Sequence, residues 1–295
     1  MGGGRWTNDD WSGYTKTTRS ARREEIFTSR ELKDALNPAK IRVRESCDSP
    51  DNPNSTPIII GLDVTGSMGI IAEVMAKESL GTLIAGIYER RPIPDPHVML
   101  MGIGDVTGDR APLQATQFEA DIRVAEQLKE IWLEGNGQGN GFESYDLPWY
   151  FAANRTVIDS YTKRGKKGYL FTIGDENPPK ETLDITNLRR VFGPTVEVGT
   201  TVAQALADAQ QRYAVFHVVV EEGGYARTAL PRVKGAWREL LGPNAIMLKN
   251  YTHVSEVILS VIEVAEGADA ETVISSWQDA GVRSSVAHAL AGLED

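Results

Sequence analysis

Ile58-Ile59-Ile60-Gly61-Leu62-Asp63-Val64-Thr65-Gly66-Ser67-Met68-Gly69 decides how this chain is read. An apolar run of strand length is followed at once by a carboxylate, then by two hydroxyls at alternating positions, then by a segment with helical character. A buried strand that stops at Asp63 brings its carboxylate to the rim of a sheet, and the turn beyond it lets Thr65 and Ser67 aim oxygens at the same point. Hard cations such as Mg²⁺ take oxygen ligands in octahedral geometry and keep several waters. One carboxylate and two hydroxyls leave such an ion incompletely neutralised and still seeking an anionic ligand. The competing reading is helix capping by Asp63, Thr65 or Ser67, since these are favoured N-cap residues.

Two further segments bear on the choice. Gly168-Tyr169-Leu170-Phe171-Thr172-Ile173-Gly174-Asp175 is a second apolar strand ending in a carboxylate. Between the two lies a Gly-rich loop, Gly135-Asn136-Gly137-Gln138-Gly139-Asn140-Gly141-Phe142-Glu143-Ser144.

Asp63-x-Thr65-x-Ser67 resembles the Asp-x-Ser/Thr-x-Ser motif of von Willebrand factor A domains, known as the metal-ion-dependent adhesion site. The resemblance runs over roughly residues 56–266. It implies Mg²⁺ or Mn²⁺ held by Asp63, Thr65 and Ser67, a further ligand from the later loop, and Asp175 acting directly or through water. That loop resembles the integrin β version, in which a Gly-Asn start leads to a metal-binding Glu after Pro. The resemblance to that loop favours Glu143, although Phe142 stands in place of the Pro; the Thr ligand of the other branch of the family keeps Ser144 open.

The rest of the chain alternates strand and helix. A helix is predicted over Ile71–Tyr88, a strand over Val98–Ile103, an antiparallel edge strand over Leu113–Phe118 and a helix over Ile122–Leu133. Beyond the Gly-rich loop come a helix from Asp146 to Thr162, one capped by Thr200-Thr201 and running to Gln211, and a strand over Ala214–Val220. Helix Val233–Leu241, strand Ala245–Leu248, helix Val254–Ala265 and a terminal helix Glu271–Leu290 complete the pattern. Parallel strands need crossover helices, so the expected fold is α/β: a doubly wound, mostly parallel sheet with helices on both faces, von Willebrand A or Rossmann-like. In a 3-2-1-4-5-6 order the first and fourth strands, closed by Asp63 and Asp175, flank the switch point where ligands bind.

Residues 1–55 read as a basic arm and linker, 56–267 as the main domain and 268–295 as a C-terminal helical extension. Ile41–Arg44 alternates like an edge strand. The whole chain carries a net charge of −10, yet residues 1–46 hold ten Lys/Arg against seven Asp/Glu. An acidic body disfavours nonspecific nucleic-acid binding. The arm interleaves Trp6, Trp11 and Tyr14 with Arg5, Lys16, Arg19, Arg22 and Arg23, which could stack bases; a segment that is disordered or folds over its own domain is the preferred expectation.

Composition is that of a globular protein, 41% hydrophobic and 24% charged. Neither a signal peptide nor a membrane span is predicted, and Trp6 sits where a myristoylation signal needs Ser or Thr. Cys47 is the single cysteine, excluding an internal disulfide and a thiolate zinc cluster and pointing to the cytoplasm. His97 and His217 lie in strand-like runs and read as structural, while His253 and His288 share no ligand spacing with them. Asp105-Val106-Thr107-Gly108-Asp109 echoes the first motif and reads as an Asp-rich turn, with a second cation as the alternative.

Several chemistries lack anchors. Thr65 replaces the second Asp of the Asp-x-Asp-x-Thr phosphatase pattern and the first Gly of a nucleophile elbow. No Gly-Lys-Ser/Thr phosphate loop is present, and the Gly-rich loop follows no strand, which excludes a dinucleotide fingerprint. The expected function is a binding module, not an enzyme: a Mg²⁺ or Mn²⁺ ion captures an Asp or Glu side chain of a protein partner, a neighbouring copy included. The alternatives are a metal-dependent hydrolase, which lacks an evident base, and a nucleic-acid or assembly module working through the arm.

Overall fold

Eight of eight residues in the first core strand are buried, because a strand flanked on both edges and covered on both faces has nowhere to expose a side chain. The computed structural model describes residues 4–135 and 141–293. Its strands are β1 (Arg44–Ser46), β2 (Thr56–Asp63), β3 (Pro96–Ile103), β4 (Leu113–Ala115), β5 (Thr156–Ile158), β6 (Gly168–Gly174), β7 (Tyr213–Val220) and β8 (Ala245–Leu248). Six form one sheet in the order β4-β3-β2-β6-β7-β8. All neighbours are parallel except β4, which runs antiparallel at the edge. Ile60 lies opposite Leu100 on one side and Phe171 on the other.

Alternate residues of β2 feed two cores. Ile58, Ile60 and Leu62 join the cluster under the long helix after β2 and the helix Val254–Ala265, while Ile59 joins Met99, Trp149, Phe192 and Trp237 on the opposite face. Helices therefore cover both faces of a mostly parallel sheet, as the alternation of the sequence requires. Burying each such aliphatic side chain contributes on the order of 2 kcal/mol.

The helix after β2 is continuous from Gly69 to Arg90 but changes winding, with α turns Gly69–Val74 and Leu80–Arg90 separated by a π turn, Met75–Ser79. It stops at Arg91, which takes a left-handed conformation with φ 53° just before Pro92. Val254–Ala265 and Ala245–Leu248 appear with the predicted bounds. Thr201 caps Val202–Gln210 by accepting from the Gln204 amide.

Several elements differ from expectation. The edge-strand pattern at Ile41–Arg44 is displaced: β1 starts at Arg44 and pairs in parallel with β5 in a separate two-stranded sheet. β5 in turn interrupts the helix expected over Asp146–Thr162, leaving Asp146–Arg155 and Asp159–Arg164. The β-branched run Thr156-Val157-Ile158 favours extension, and the Thr156 hydroxyl closes the preceding helix on the Ala152 carbonyl at 2.6 Å. The Ile122–Leu133 helix is shorter, Arg123–Leu128, because Trp132 leaves it to exchange backbone hydrogen bonds with the Gln114 side chain. The terminal helix is two, Ala270–Ser276 and Ala280–Leu290, since Trp277 turns its indole N–H to Ser260 and Asp279 caps the second helix on the Val282 amide. Helix Ala226–Leu241 begins earlier than its apolar face suggested, with a kink at Ala229 ahead of Pro231, and Ile185–Phe192 adds a short helix capped by Asp184.

The N-terminal arm lies on the body. Asn8–Thr18 is helical, and Trp6 and Tyr14 are buried. Trp6, Trp11 and Tyr14 stack in series at centroid spacings of 5.3 and 5.2 Å. Among the described residues no helix is long and apolar enough to cross a membrane.

Candidate functional site

β2 and β6 are neighbours, and the chain leaves them toward opposite faces: the helix after β2 joins one core, whereas Ile185–Phe192 and Val202–Gln210 after β6 join the other. The carboxyl edge between them is the switch point of the sheet. Asp63 is the last residue of β2, and Asp175 directly follows β6.

Asp63 is 1% exposed. Its Oδ1 accepts from the Thr65 amide at 2.9 Å and the Thr65 hydroxyl at 2.8 Å, and its Oδ2 accepts from the Tyr145 hydroxyl at 3.0 Å. The Thr65 hydroxyl also lies 3.0 Å from Oε1 of Glu143. One hydroxyl proton cannot serve both carboxylates at once, so Thr65 joins the two acids without satisfying both. Neither Asp63 nor Thr65 caps the helix beyond, whose N-cap is Met68 without a side-chain bond.

The two candidates in the later loop separate. Glu143 faces Thr65, and its Oε2 is buried with no hydrogen-bond partner. The Ser144 hydroxyl instead accepts from the Val106 amide at 2.9 Å. Ser67 lies in the single turn Gly66–Met68, and its side chain is outside the described residues, as are residues 136–140 of the Gly-rich loop. Where that loop re-enters the description, Phe142 forms a parallel bridge with Asn177, and Asn177 donates to the Gly141 carbonyl at 2.7 Å. The segments bearing Glu143 and Asp175 are thus stitched together.

Tyr145 is the positioning group that the sequence did not reveal. It is fully buried, stands edge-on to His217 and Trp237, and reaches Asp63 by passing over the backbone of Gly174. A Cβ on Gly174 would lie 2.0 Å from the Tyr145 oxygen. Gly223 makes similar room for Asp175, whose Oδ2 accepts from the Tyr225 amide at 2.7 Å. An aromatic in a helical pattern reads as core, and a glycine before a strand-end carboxylate reads as turn; only the fold shows both serving one carboxylate.

Glu176, also missed, adds a fourth acid with an unpartnered buried Oε2. Desolvation, then repulsion from Asp63 and Asp175, pushes it up to about 8. Burial raises Asp63 well above the usual carboxylate range, with the Asp175 charge adding to it and the Thr65 bonds opposing it. Glu143 is raised further by burial and by the charges of Asp63 and Glu176. Asp175 rises through burial alone.

The Asp105–Asp109 segment is a closed turn. Asp105 accepts from the Thr107 amide and hydroxyl, and Asp109 accepts from the Asp105 amide, each at 2.7 Å. Arg190 binds the carbonyls of Val106 and Asp109. His97 and His217 are buried in β3 and β7, bonded to Ser46 and Thr172; His217 stacks on Trp237 at 3.5 Å, and burial holds its pKa well below the ordinary value. His253 pairs with Ser285 and His288 with Glu221, and neither contacts Asp63, Thr65 or Glu143 in a hydrogen bond.

Among the described residues no three Asp, Glu, His or Cys groups converge into a cage of their own. The donor set is mixed carboxylate and hydroxyl, buried at the carboxyl edge of the sheet. Such a set suits a hard, partly hydrated ion, and Glu143 Oε2 is the buried oxygen within it that has no hydrogen-bond partner among the described residues.

No family model matches this chain, and no curated protein matches it in sequence. Solved structures to which it is similar include the pilus adhesin SpaC from Lactobacillus rhamnosus GG in its open conformation, at 8% identity and TM-score 0.43, covering 75% of this chain and 30% of the adhesin. Another form of that adhesin gives 8%, 0.44, 77% and 31%. A von Willebrand factor type A structure from Catenulispora acidiphila gives 12% identity and TM-score 0.40, covering 73% of this chain and 44% of that one. The chain spans less than half the length of each.

Proposed function

We propose that the carboxyl edge of the sheet is a cation-dependent protein-binding site for Mg²⁺ or Mn²⁺. The observation that carries this reading is the set of acids gathered at this edge, with Asp63, Glu143 and Asp175 buried and Glu176 half-buried, and with Glu143 Oε2 lacking a hydrogen-bond partner among the described residues. A folded protein does not bury several carboxylates together without a partner for their charge. Asp63 would hold the ion by charge, Thr65 and Ser67 through hydroxyls, and Glu143 in preference to Ser144 as the further ligand. Asp175 would act directly or through water. When bound, the ion supplies positive charge and an open coordination position for a partner's Asp or Glu side chain, a neighbouring copy of the chain included.

The chain's own residues prepare that position. Tyr145 fixes Asp63 from below, Thr65 holds Asp63 and Glu143 at a common point, and the Phe142–Asn177 bridge keeps the Glu143 segment beside Asp175. A hydrolytic reading needs a base near the ion, and His217 is buried under Tyr145 and bonded to Thr172. Binding through the arm would need Trp6 and Tyr14 at the surface, whereas both are packed against the body. Calorimetry with Mn²⁺ on the wild type and Asp63→Ala, beside isolation of partners with and without chelator, tests the proposal. Saturable binding lost in the variant and partner capture lost in chelator support it; unchanged Mn²⁺ affinity in Asp63→Ala removes the site.

A further inference from the structure

Gly81 sits in the interior of a helix, where glycine is less favourable than alanine. Its neighbour supplies the reason: a Cβ there would lie 2.1 Å from the indole of Trp11. The arm helix Asn8–Thr18 packs across the π turn Met75–Ser79, and Trp11 occupies the slot that only glycine leaves open. Farther along, Arg23 pairs with Glu73 at 2.9 Å, and its guanidinium lies beside Gly69, the first residue of the same helix. The arm thus grips this helix on both sides of its π turn. That helix starts four residues after Thr65, so its axial position sets where Thr65 presents its hydroxyl. A π turn holds one residue more than an α turn and is found where a helix is adjusted to a site.

We infer that the N-terminal arm is a positioning element of the candidate cation site: Trp11 seated on Gly81, with Arg23 on Glu73, holds the helix in the register that brings Thr65 to Asp63 and Glu143. This rests on the cation reading for its ligand but not for its mechanical content. Released, the arm would leave the π turn free to rewind and shift the Thr65–Met68 turn.

The test uses the full chain with Trp11→Ala, Gly81→Ala and the double variant, read by hydrogen exchange, thermal midpoint and Mn²⁺ calorimetry. Gly81→Ala should lower the midpoint in the wild-type background by ejecting Trp11, and raise it in the Trp11→Ala background, where the slot is empty and alanine is the better helix former. Both single variants should speed exchange at residues 65–80 about tenfold while β6 and β7 stay protected, and weaken Mn²⁺ by about tenfold. Faster exchange confined to residues 5–20 with unchanged Mn²⁺ affinity would overturn the inference. A wild type that binds no Mn²⁺ would refute the cation reading instead, and exchange at residues 65–80 would still decide whether the arm holds the turn.

Discussion

Asp63→Asn should stabilise the protein in the absence of divalent cations. The amide is isosteric with the carboxylate: its oxygen can keep the Thr65 bonds, and its NH₂ can donate to Tyr145, whose hydroxyl both donates and accepts. What disappears is a buried negative charge. Asp63 is pushed from an ordinary 3.8 up to about 7, first by burial and then by Asp175. For an acid whose folded value is raised, the folded state holds its proton longer than the unfolded chain. The stability cost is therefore absent below 3.8, grows as pH rises toward about 7, and persists above it. Three pH units of displacement correspond to a ceiling of about 4 kcal/mol. Because Glu143 and Asp175 share the repulsion, removing one charge should recover about 2 kcal/mol at pH ~8 and little at pH ~4. Urea unfolding in chelator at both pH values measures the difference. A variant less stable than wild type at the higher pH would mean that the cluster is already compensated and that no cation is needed to explain it.

Saturating Mg²⁺ should reverse the ranking, raising the wild-type midpoint at pH ~8 while leaving Asp63→Asn unmoved; equal shifts in both would place binding elsewhere. Glu143→Gln should weaken Mn²⁺ far more than Ser144→Ala, because the serine hydroxyl is spent on the Val106 amide; calorimetry giving the reverse order would make Ser144 the ligand. Gly174→Ala should destabilise by about 2 kcal/mol through the forced shift of Tyr145 and lower Mn²⁺ affinity with it, and Tyr145→Phe should reproduce the affinity loss with less unfolding. Thr201→Ala should cost about 1 kcal/mol by removing the cap on the Gln204 amide, without touching Mn²⁺ binding, which serves as the control.

The sheet was legible because its central strands are buried on both faces and therefore read as unbroken apolar runs, each stopped by a residue that cannot be buried cheaply: Asp63 after β2 and Asp175 after β6. Their adjacency followed from the crossover rule, and the antiparallel edge strand expected over Leu113–Phe118 is present over Leu113–Ala115. What the sequence concealed depends on contacts distant along the chain. β5 hides within a helical stretch because its pairing partner, Arg44–Ser46, lies more than a hundred residues away. Its signal was the β-branched run, outvoted by the helical pattern around it. The break at Trp277–Asp279 had a readable cap in Asp279, yet the pull of Ser260 on the indole belongs to the fold. Tyr145, Gly174 and Gly81 escaped for one reason: an aromatic and a glycine acquire meaning only when the surface they press against is known.

Asp63 and Asp175 come to the rim because any doubly wound sheet ends its strands there, which explains their position but not their burial. Burial is imposed by groups from elsewhere: Tyr145 rising over Gly174, Tyr225 donating its amide to Asp175, and the Phe142–Asn177 bridge holding the Glu143 segment beside Asp175. An exposed carboxylate cluster at a sheet edge would relieve its repulsion into water, and a cation would gain little by joining it. By drying the acids while leaving Glu143 Oε2 without a partner, these contacts raise the free energy of the ionised cluster. On the proposed cation reading the same contacts would favour a bound ion, so stability and cation affinity at this edge are expected to move in opposite directions with each charge removed.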